Sequence, residues 1–253
     1  MTDWMPALKQ KIETKTARVS VVGMGYVGLS LAVELAKSGL TVRGVDLDLE
    51  RVSLLNRGES YLVDVSSDAL GPLVAAGTLT ASTGFEDAAT ADALIICVPT
   101  PLRKSKEPDI SFILSAMEHL LPRLRRGQLL VLESTTFPGT TEEVVQPRLE
   151  SLGFAIGTDY FLAFSPERVD PGNRRFTTAN IPKVVGGVTR ACTELAAALY
   201  RHVTSSVFEA SSPRVAETAK LLENTFRSVN IALANELAFA CRKIGVDPWE
   251  VID

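Results

Sequence analysis

The chain has 253 residues, 46% of them hydrophobic and 22% charged, a balance that suits a packed globular fold and excludes disorder or a collagen-like repeat. A formal charge of -4, with Lys and Arg scattered, argues against a broad nucleic-acid surface, and the longest apolar runs fall far short of the roughly 20 residues of a membrane span. Three widely spaced cysteines (Cys97, Cys192, Cys241) form neither a disulfide framework nor a CxxC metal site, so a soluble, cytoplasmic protein is expected. In chain order, residues 1–17 are polar, lack an apolar stripe long enough to dock, and read as an extension. From Arg18, β-rich runs at 19–22, 42–45, 94–98, 129–132, 160–164 and 183–185 alternate with helix-like stretches. Short runs apolar on both faces suit a parallel sheet covered by helices on each side. The expected fold class is therefore α/β: a Rossmann-type doubly wound, mostly parallel sheet over residues 18–211. Ser212 and Pro213 make an N-cap and first turn, and no Pro or Gly interrupts the chain before Gly245, which predicts one long helix. Asp247 and Pro248 open a further helix that the chain barely begins. Residues 212–253 thus read as a connecting helix and the start of a following region, in a fragment of a longer polypeptide.

The turn after the first run carries the chemistry. Gly23, Gly25 and Gly28 form GxGxxG between a predicted strand and a predicted helix. In such a turn the first glycine permits the tight bend, the second lets backbone N–H groups approach a pyrophosphate, and the third allows close helix–strand packing. Asp46 ends the next strand, where a carboxylate accepts ribose hydroxyls and repels a 2′-phosphate, so NAD is favoured over NADP. Arg43 and Arg51 nearby soften that preference, because arginine also pairs with phosphate. No GK[ST] follows, which excludes a P-loop.

Four later motifs, in order, carry a resemblance: Cys97-Val-Pro-Thr-Pro101, Glu133-Ser-Thr-Thr-Phe-Pro-Gly-Thr140, Ser165-Pro-Glu-Arg-Val-Asp-Pro-Gly172 and Ala219-Lys-Leu-Leu-Glu-Asn224. Together they resemble the UDP-glucose/GDP-mannose dehydrogenase family, and most of all its branch acting on UDP-N-acetylglucosamine or UDP-N-acetylmannosamine. The resemblance implies an NAD-binding amino-terminal domain, a long helix leading to a dimerisation region, and a carboxyl-terminal nucleotide-sugar domain that this chain does not contain. It implies oxidation of a sugar C6 alcohol to a uronate with two NAD, through a cysteine-bound thiohemiacetal and thioester. Dinucleotide contacts are implied at Tyr26, Val27, Asp46, Arg51, Pro99, Thr100, Ser134 and Thr135, beside the three glycines. Active-site roles are implied for Glu167, Lys220 and Asn224, with Arg168 and Arg227 also on the UDP-sugar side. In the UDP-glucose branch an acidic residue stands four positions after the glutamate; here that position is Pro171, with Asp170 beside it.

The residue chemistry is compatible with these roles. Lys220, Asn224 and Arg227 share one helical stripe by their i, i+4, i+7 spacing; Lys220 would steady an alkoxide, Asn224 a water or hydroxyl, and Arg227 a sugar or phosphate oxygen. A solvated helix face is the plain alternative. Glu167 lies in a loop after a strand-like run, where open α/β sheets bind ligands, and is assigned to activating water for thioester hydrolysis. Thr136 to Thr140 equally suit a helix cap. The family's nucleophilic cysteine lies in a GGxC segment beyond the long helix, and none of the three cysteines here has that setting. His119 and His202 fit no zinc or triad pattern and read as surface or helix-end residues; no metal is expected. Apolar positions of the long helix, among them Leu222, Phe226 and Leu233, suit a partner subunit in a homodimer, with an intramolecular docking surface as the simpler alternative. Two other readings remain: a β-hydroxyacid-type dehydrogenase making one two-electron oxidation, and a non-catalytic NAD-binding module.

Overall fold

The structure is a computed structural model that describes residues 3–104, 107–168 and 180–252. It divides into two units, Met1–Glu217 and Thr218–Asp253. Among the described residues, the first unit holds one eight-stranded sheet. Its strands are β1 (Arg18–Val22), β2 (Thr41–Val45), β3 (Leu79–Ser82), β4 (Ala93–Ile96), β5 (Leu129–Leu132), β6 (Phe161–Phe164), β7 (Lys183–Gly187) and β8 (Val207–Ala210), in the spatial order β3-β2-β1-β4-β5-β6-β7-β8. The helices of this unit are α1 (Trp4–Glu13), α2 (Tyr26–Lys37), α3 (Leu49–Asn56), α4 (Ser67–Ala75), α5 (Ser111–Leu120), α6 (Gln146–Glu150) and α7 (Arg190–Tyr200). All strand pairs are parallel except β6 and β7, which run antiparallel with Ala163 opposite Gly187 and Phe164 opposite Gly186.

Alternation along the central strands feeds two cores. Ala93 and Ile95 of β4 point to one face, with Leu29, Leu31 and Leu35 of α2 and Leu195 and Leu199 of α7; Leu94 and Ile96 point to the other, with Ile113, Met117 and Leu120 of α5. Because both faces are covered, these strands are apolar at every position, and their sequence reads as a continuous run rather than an alternating one. The expected α/β class and the mostly parallel, doubly wound sheet are therefore present. Two strands beyond the expected six, β3 and β8, lie at the two edges of the sheet, where each residue has fewer neighbours. Their sequences, LTAS and VFEA, are mostly half-exposed or exposed and lack the apolar run that marks the inner strands.

Residues 1–17 are not a loose extension. They contain α1, which buries Leu8 and Ile12 in the core shared with α7, while the Trp4 ring packs over Gly127. Polar bonds complete the docking: Lys11 Nζ donates to Asp92 Oδ1 at 2.8 Å, and His202 Nε2 lies 2.9 Å from the Ile12 carbonyl oxygen. Asp92, buried just before β4, also accepts from the Arg18 N–H at 3.0 Å and from Arg125 Nη2 at 3.1 Å. Burial alone would raise the Asp92 carboxyl, but these donors outweigh it and hold it below the ordinary aspartate value. A depressed carboxylate stabilises the fold above its unfolded value near ~3.9, and that contribution is lost as pH falls through the lower native value. Asp92→Asn should therefore cost about 1.5–3 kcal/mol at pH 7, the range for charge-assisted bonds. In urea titrations the gap from the unaltered protein should close as the pH drops below about 4; a gap independent of pH would refute the assignment.

The second unit is helical. The expected long helix is α8 (Pro213–Ile244), opened by Ser212, whose Oγ accepts the Val215 N–H at 3.3 Å. Gly245 ends it with φ +75°, and the Val246 N–H returns to the Cys241 carbonyl at 3.0 Å. The expected start of a further helix is also present: the Asp247 side chain accepts the Trp249 N–H at 3.0 Å and caps α9 (Pro248–Ile252). Among the described residues, no helix is long and apolar enough to cross a membrane.

Candidate functional site

The carboxyl ends of β1, β2, β4, β5 and β6 open on one cleft of about 560 Å³. Its floor begins with the turn from β1 into α2. Gly23 sits at φ +92°, and a Cβ there would lie 2.8 Å from the Cys97 carbonyl oxygen. A Cβ at Gly28 would overlap the Gly23 carbonyl oxygen, so the helix can approach the strand only without a side chain. Gly25, the cap residue of α2, is different: a Cβ there would meet nothing within 4 Å. Its ordinary φ of -72° makes no demand for glycine, and no side chain caps the helix. The space above the start of α2 is thus kept open, and the positive end of the helix dipole faces it.

Asp46 braces this turn and lines the cleft at once. Its Oδ2 accepts the Met24 N–H at 2.8 Å and its Oδ1 the Asp48 N–H at 2.9 Å, while Arg51 Nη1 stands 3.7 Å from Oδ2. Each carboxylate oxygen has a second lone pair for a ligand. Tyr61 adds a second brace, its hydroxyl donating to the Met24 carbonyl at 2.6 Å. Arg43, expected beside Asp46, is elsewhere. Its Nη1 donates to the Val42 and Gly77 carbonyls at 3.1 and 3.3 Å, and it lines a separate depression with Arg18, Thr41 and Asp87.

Of the residues singled out in the sequence, Gly23, Gly25, Tyr26, Val27, Asp46, Arg51, Pro99, Thr100, Ser134, Thr135 and Glu167 line the cleft, and Gly28 lies behind Gly23. The Ser134 hydroxyl is engaged by the Val98 carbonyl at 2.7 Å, whereas Thr135 is exposed. Arg168 directs Nη1 to the Pro182 carbonyl at 3.0 Å. Lys220, Asn224 and Arg227 lie on one stripe of α8 in the second unit, with Arg227 3.9 Å from Glu223 one turn back. Asp170 and Pro171 lie outside the described residues.

Several contributors escaped the sequence. Phe85, Phe112 and His119 form an aromatic wall of the cleft, with Phe85 and His119 stacked at 4.9 Å. His119 is indeed an exposed helix-end residue, yet it faces this cleft. The residues 136–140 do not cap the helix that follows them. That cap is Glu217, fully buried in the first turns of α8, which accepts the Gly139 N–H at 2.6 Å, the Thr141 N–H at 2.9 Å and the Thr141 hydroxyl at 2.7 Å.

Beneath the cleft lies a buried ionic cluster. Lys183 Nζ is paired with Glu133 Oε1, the Tyr200 hydroxyl donates to Glu133 Oε2 at 2.5 Å, and Lys183 Nζ lies 3.5 Å from Glu167 Oε2. Burial by itself would lower the Lys183 ammonium, but the Glu133 and Glu167 carboxylates outweigh it and leave it raised, hence charged. Burial, then Glu133, pushes the Tyr200 phenol and the Cys97 thiol well up, so both stay protonated. Cys97 is thus a poor nucleophile despite its place in the cleft. Cys192 is buried too, its Sγ 3.3 Å from the Leu162 nitrogen and 3.2 Å from Thr189 Oγ1, and Cys241 is buried in α8. A signal for Glu133 was present: like Asp46, it is an acid that directly ends an apolar run.

Comparison with known proteins agrees with this geometry. Residues 17–204 match the NAD binding domain of the UDP-glucose/GDP-mannose dehydrogenase family, and residues 214–253 match its central domain. The chain is 39% identical over 240 residues to UDP-N-acetyl-D-glucosamine 6-dehydrogenase of Pseudomonas aeruginosa, covering 94% of this chain and 56% of that protein. It superimposes on the UDP-D-ManNAc dehydrogenase of Pyrococcus horikoshii with a TM-score of 0.87 at 36% identity, over 93% of this chain and 56% of that one. A ternary complex of GDP-mannose dehydrogenase from Pseudomonas aeruginosa gives 0.86 at 28%, again over 93% and 56%. The chain therefore spans a little over half the length of the relatives it matches.

Proposed function

The chain belongs to the UDP-glucose/GDP-mannose dehydrogenase family, and from that premise we propose that it is the NAD-binding part of a cytoplasmic, homodimeric dehydrogenase that oxidises the C6 alcohol of a UDP-N-acetylhexosamine to a uronate with two NAD. The observation that carries the reading is the open cradle above Gly25, flanked by the Asp46 carboxylate, at the carboxyl edge of a parallel sheet. A pyrophosphate fits where Gly25 leaves room, and Asp46 accepts the adenosine ribose hydroxyls while its charge repels a 2′-phosphate. Phe85 and His119 offer a flat surface to a planar ring, and Thr135, exposed where Ser134 and Thr136 are buried, offers its hydroxyl to the nicotinamide side. When bound, NAD supplies the hydride acceptor.

The remaining assignments follow the same premise. Glu167, at the β5–β6 side of the cleft, activates water for hydrolysis of the acyl intermediate; Lys220 and Asn224 steady oxygen charge; Arg168 and Arg227 serve the sugar or its phosphates. The nucleophile is none of Cys97, Cys192 and Cys241, all buried. The NAD-binding domain is taken as 18–211, with 212–253 as the connecting helix and the beginning of the dimerisation region. Support for the homodimer comes from Leu222, Phe226, Val229 and Leu233, each at least 60% exposed and spaced along one face of α8. Calorimetric titration of the chain tests the central reading. NAD should bind with one-to-one stoichiometry and NADP at least about tenfold more weakly, the effect of one well-placed charge; equal affinity for both, or for neither, would overturn it.

A further inference from the structure

The reversal of β7 brings a buried lysine to the ligand-binding edge. In a parallel strand the first residue stands at the edge opposite the cleft, but β7 runs against β6. Their register, 163 with 187 and 164 with 186, carried on past the ladder, sets residue 167 against residue 183. Lys183 is accordingly the first residue of its strand and yet stands at the carboxyl edge of the parallel ones, with a side chain only 3% exposed. A buried ammonium is expensive unless it is paired and hydrogen-bonded. Here it is shared by two carboxylates from neighbouring strand ends: Glu133 after β5, itself fully buried, and Glu167 after β6, 12% exposed and facing the cleft.

We propose that Lys183 is a positioning residue that holds the Glu167 carboxylate ionised and fixed in orientation at the cleft. The inference rests on the reading of Glu167 as the water-activating group. The two oxygens of Glu167 have different holders: Oε1 accepts the Arg168 N–H at 2.7 Å, and Oε2 faces Lys183 Nζ at 3.5 Å. A base must be charged to take a proton, and an ammonium at that range favours the charged form. The groups around Lys183 work to the same end. Tyr200 on α7 donates to the far oxygen of Glu133 and presents its ring 5.1 Å from the ammonium, while Cys97 after β4 stays a neutral thiol. Burial and the repulsion from Glu167 leave the Glu133 carboxyl raised despite Lys183, so the ammonium between the two acids offsets their repulsion.

The test reads the Glu167 carboxyl directly by carbon-13 NMR across a pH series on the 253-residue chain. Lys183→Met together with Glu133→Gln removes both halves of the buried pair and strands no charge in the core. In that variant the Glu167 midpoint should rise by about one unit, the lower end of what an opposite charge at short range produces. In Lys183→Arg it should remain near the unaltered value. A folded double variant with an unmoved midpoint would overturn the proposal. The unaltered chain supplies a check that needs no refolding variant: the Lys183 ammonium nitrogen resonance should titrate with the Glu167 midpoint, and its indifference would overturn the proposal equally. Glu167→Gln is read separately, as turnover of the complete enzyme. If turnover survives, the water-activating role falls while the measured coupling of the two charges stands.

Discussion

Gly28→Ala should abolish measurable NAD binding and lower stability by about 3 kcal/mol, the upper range for overpacking. The added methyl has no direction in which to relax. It would fall on the Gly23 backbone carbonyl, with the Cβ of the Cys97 side chain a further close neighbour at 3.3 Å. Gly23 cannot retreat, because its N–H is bonded to the Val45 carbonyl at 2.7 Å and its own Cβ direction points at the Cys97 carbonyl. The helix must therefore shift away from β1, and the start of α2 moves with it. Gly25→Ala makes the contrast: its methyl enters open space, so the fold should keep its stability while NAD affinity falls. Thermal melts and calorimetry on the two variants separate the role of support from the role of cradle. Equal losses of stability in both would refute this division.

Asp46→Ala should weaken NAD by roughly ten- to a hundredfold, which corresponds to about 1.5–3 kcal/mol for hydrogen bonds to a charged group. NADP should lose less, since the same change removes the repulsion against its 2′-phosphate, and the preference between the two cofactors narrows. Part of the loss is indirect: Asp46 Oδ2 also holds the Met24 N–H inside the glycine turn. Asp46→Asn keeps an acceptor for that N–H and removes the charge, so it should retain more NAD affinity than the alanine variant and show the same narrowed preference. An unchanged NAD affinity in Asp46→Ala, measured by calorimetry, would remove the acid from the site.

What the sequence made legible follows the density of the interior. β1, β4, β5 and β6 are buried on both faces, and apolar residues at nearly every position leave a run that cannot be missed. The glycine turn and Asp46 were legible because each meets a local demand of the backbone or of one ligand group. The long helix was legible from its boundaries, Pro213 and Gly245. Edge strands β3 and β8 carry no such run. α1 was misread because only Leu8 and Ile12, one per turn, are deeply buried, while the rest of its docking runs through Lys11, Trp4 and a backbone carbonyl. Lys183 and Glu217 act through partners 50 and more than 70 residues away, Glu133 and the 139–141 turn, and no window on the chain joins them. The placement of Lys183 further depends on the reversal of one strand, which periodicity does not encode.

The docking of α1 has a consequence for how substitutions will be felt. Two of its partners, Asp92 before β4 and Gly127 before β5, belong to the edge of the sheet opposite the glycine turn. Adhesion of the chain and recognition of its ligand are thus assigned to opposite rims of one sheet, with the packed strands between. A mutational map of this protein should fall into two populations, one that changes how much folded protein a cell holds and another that changes what the folded protein grips.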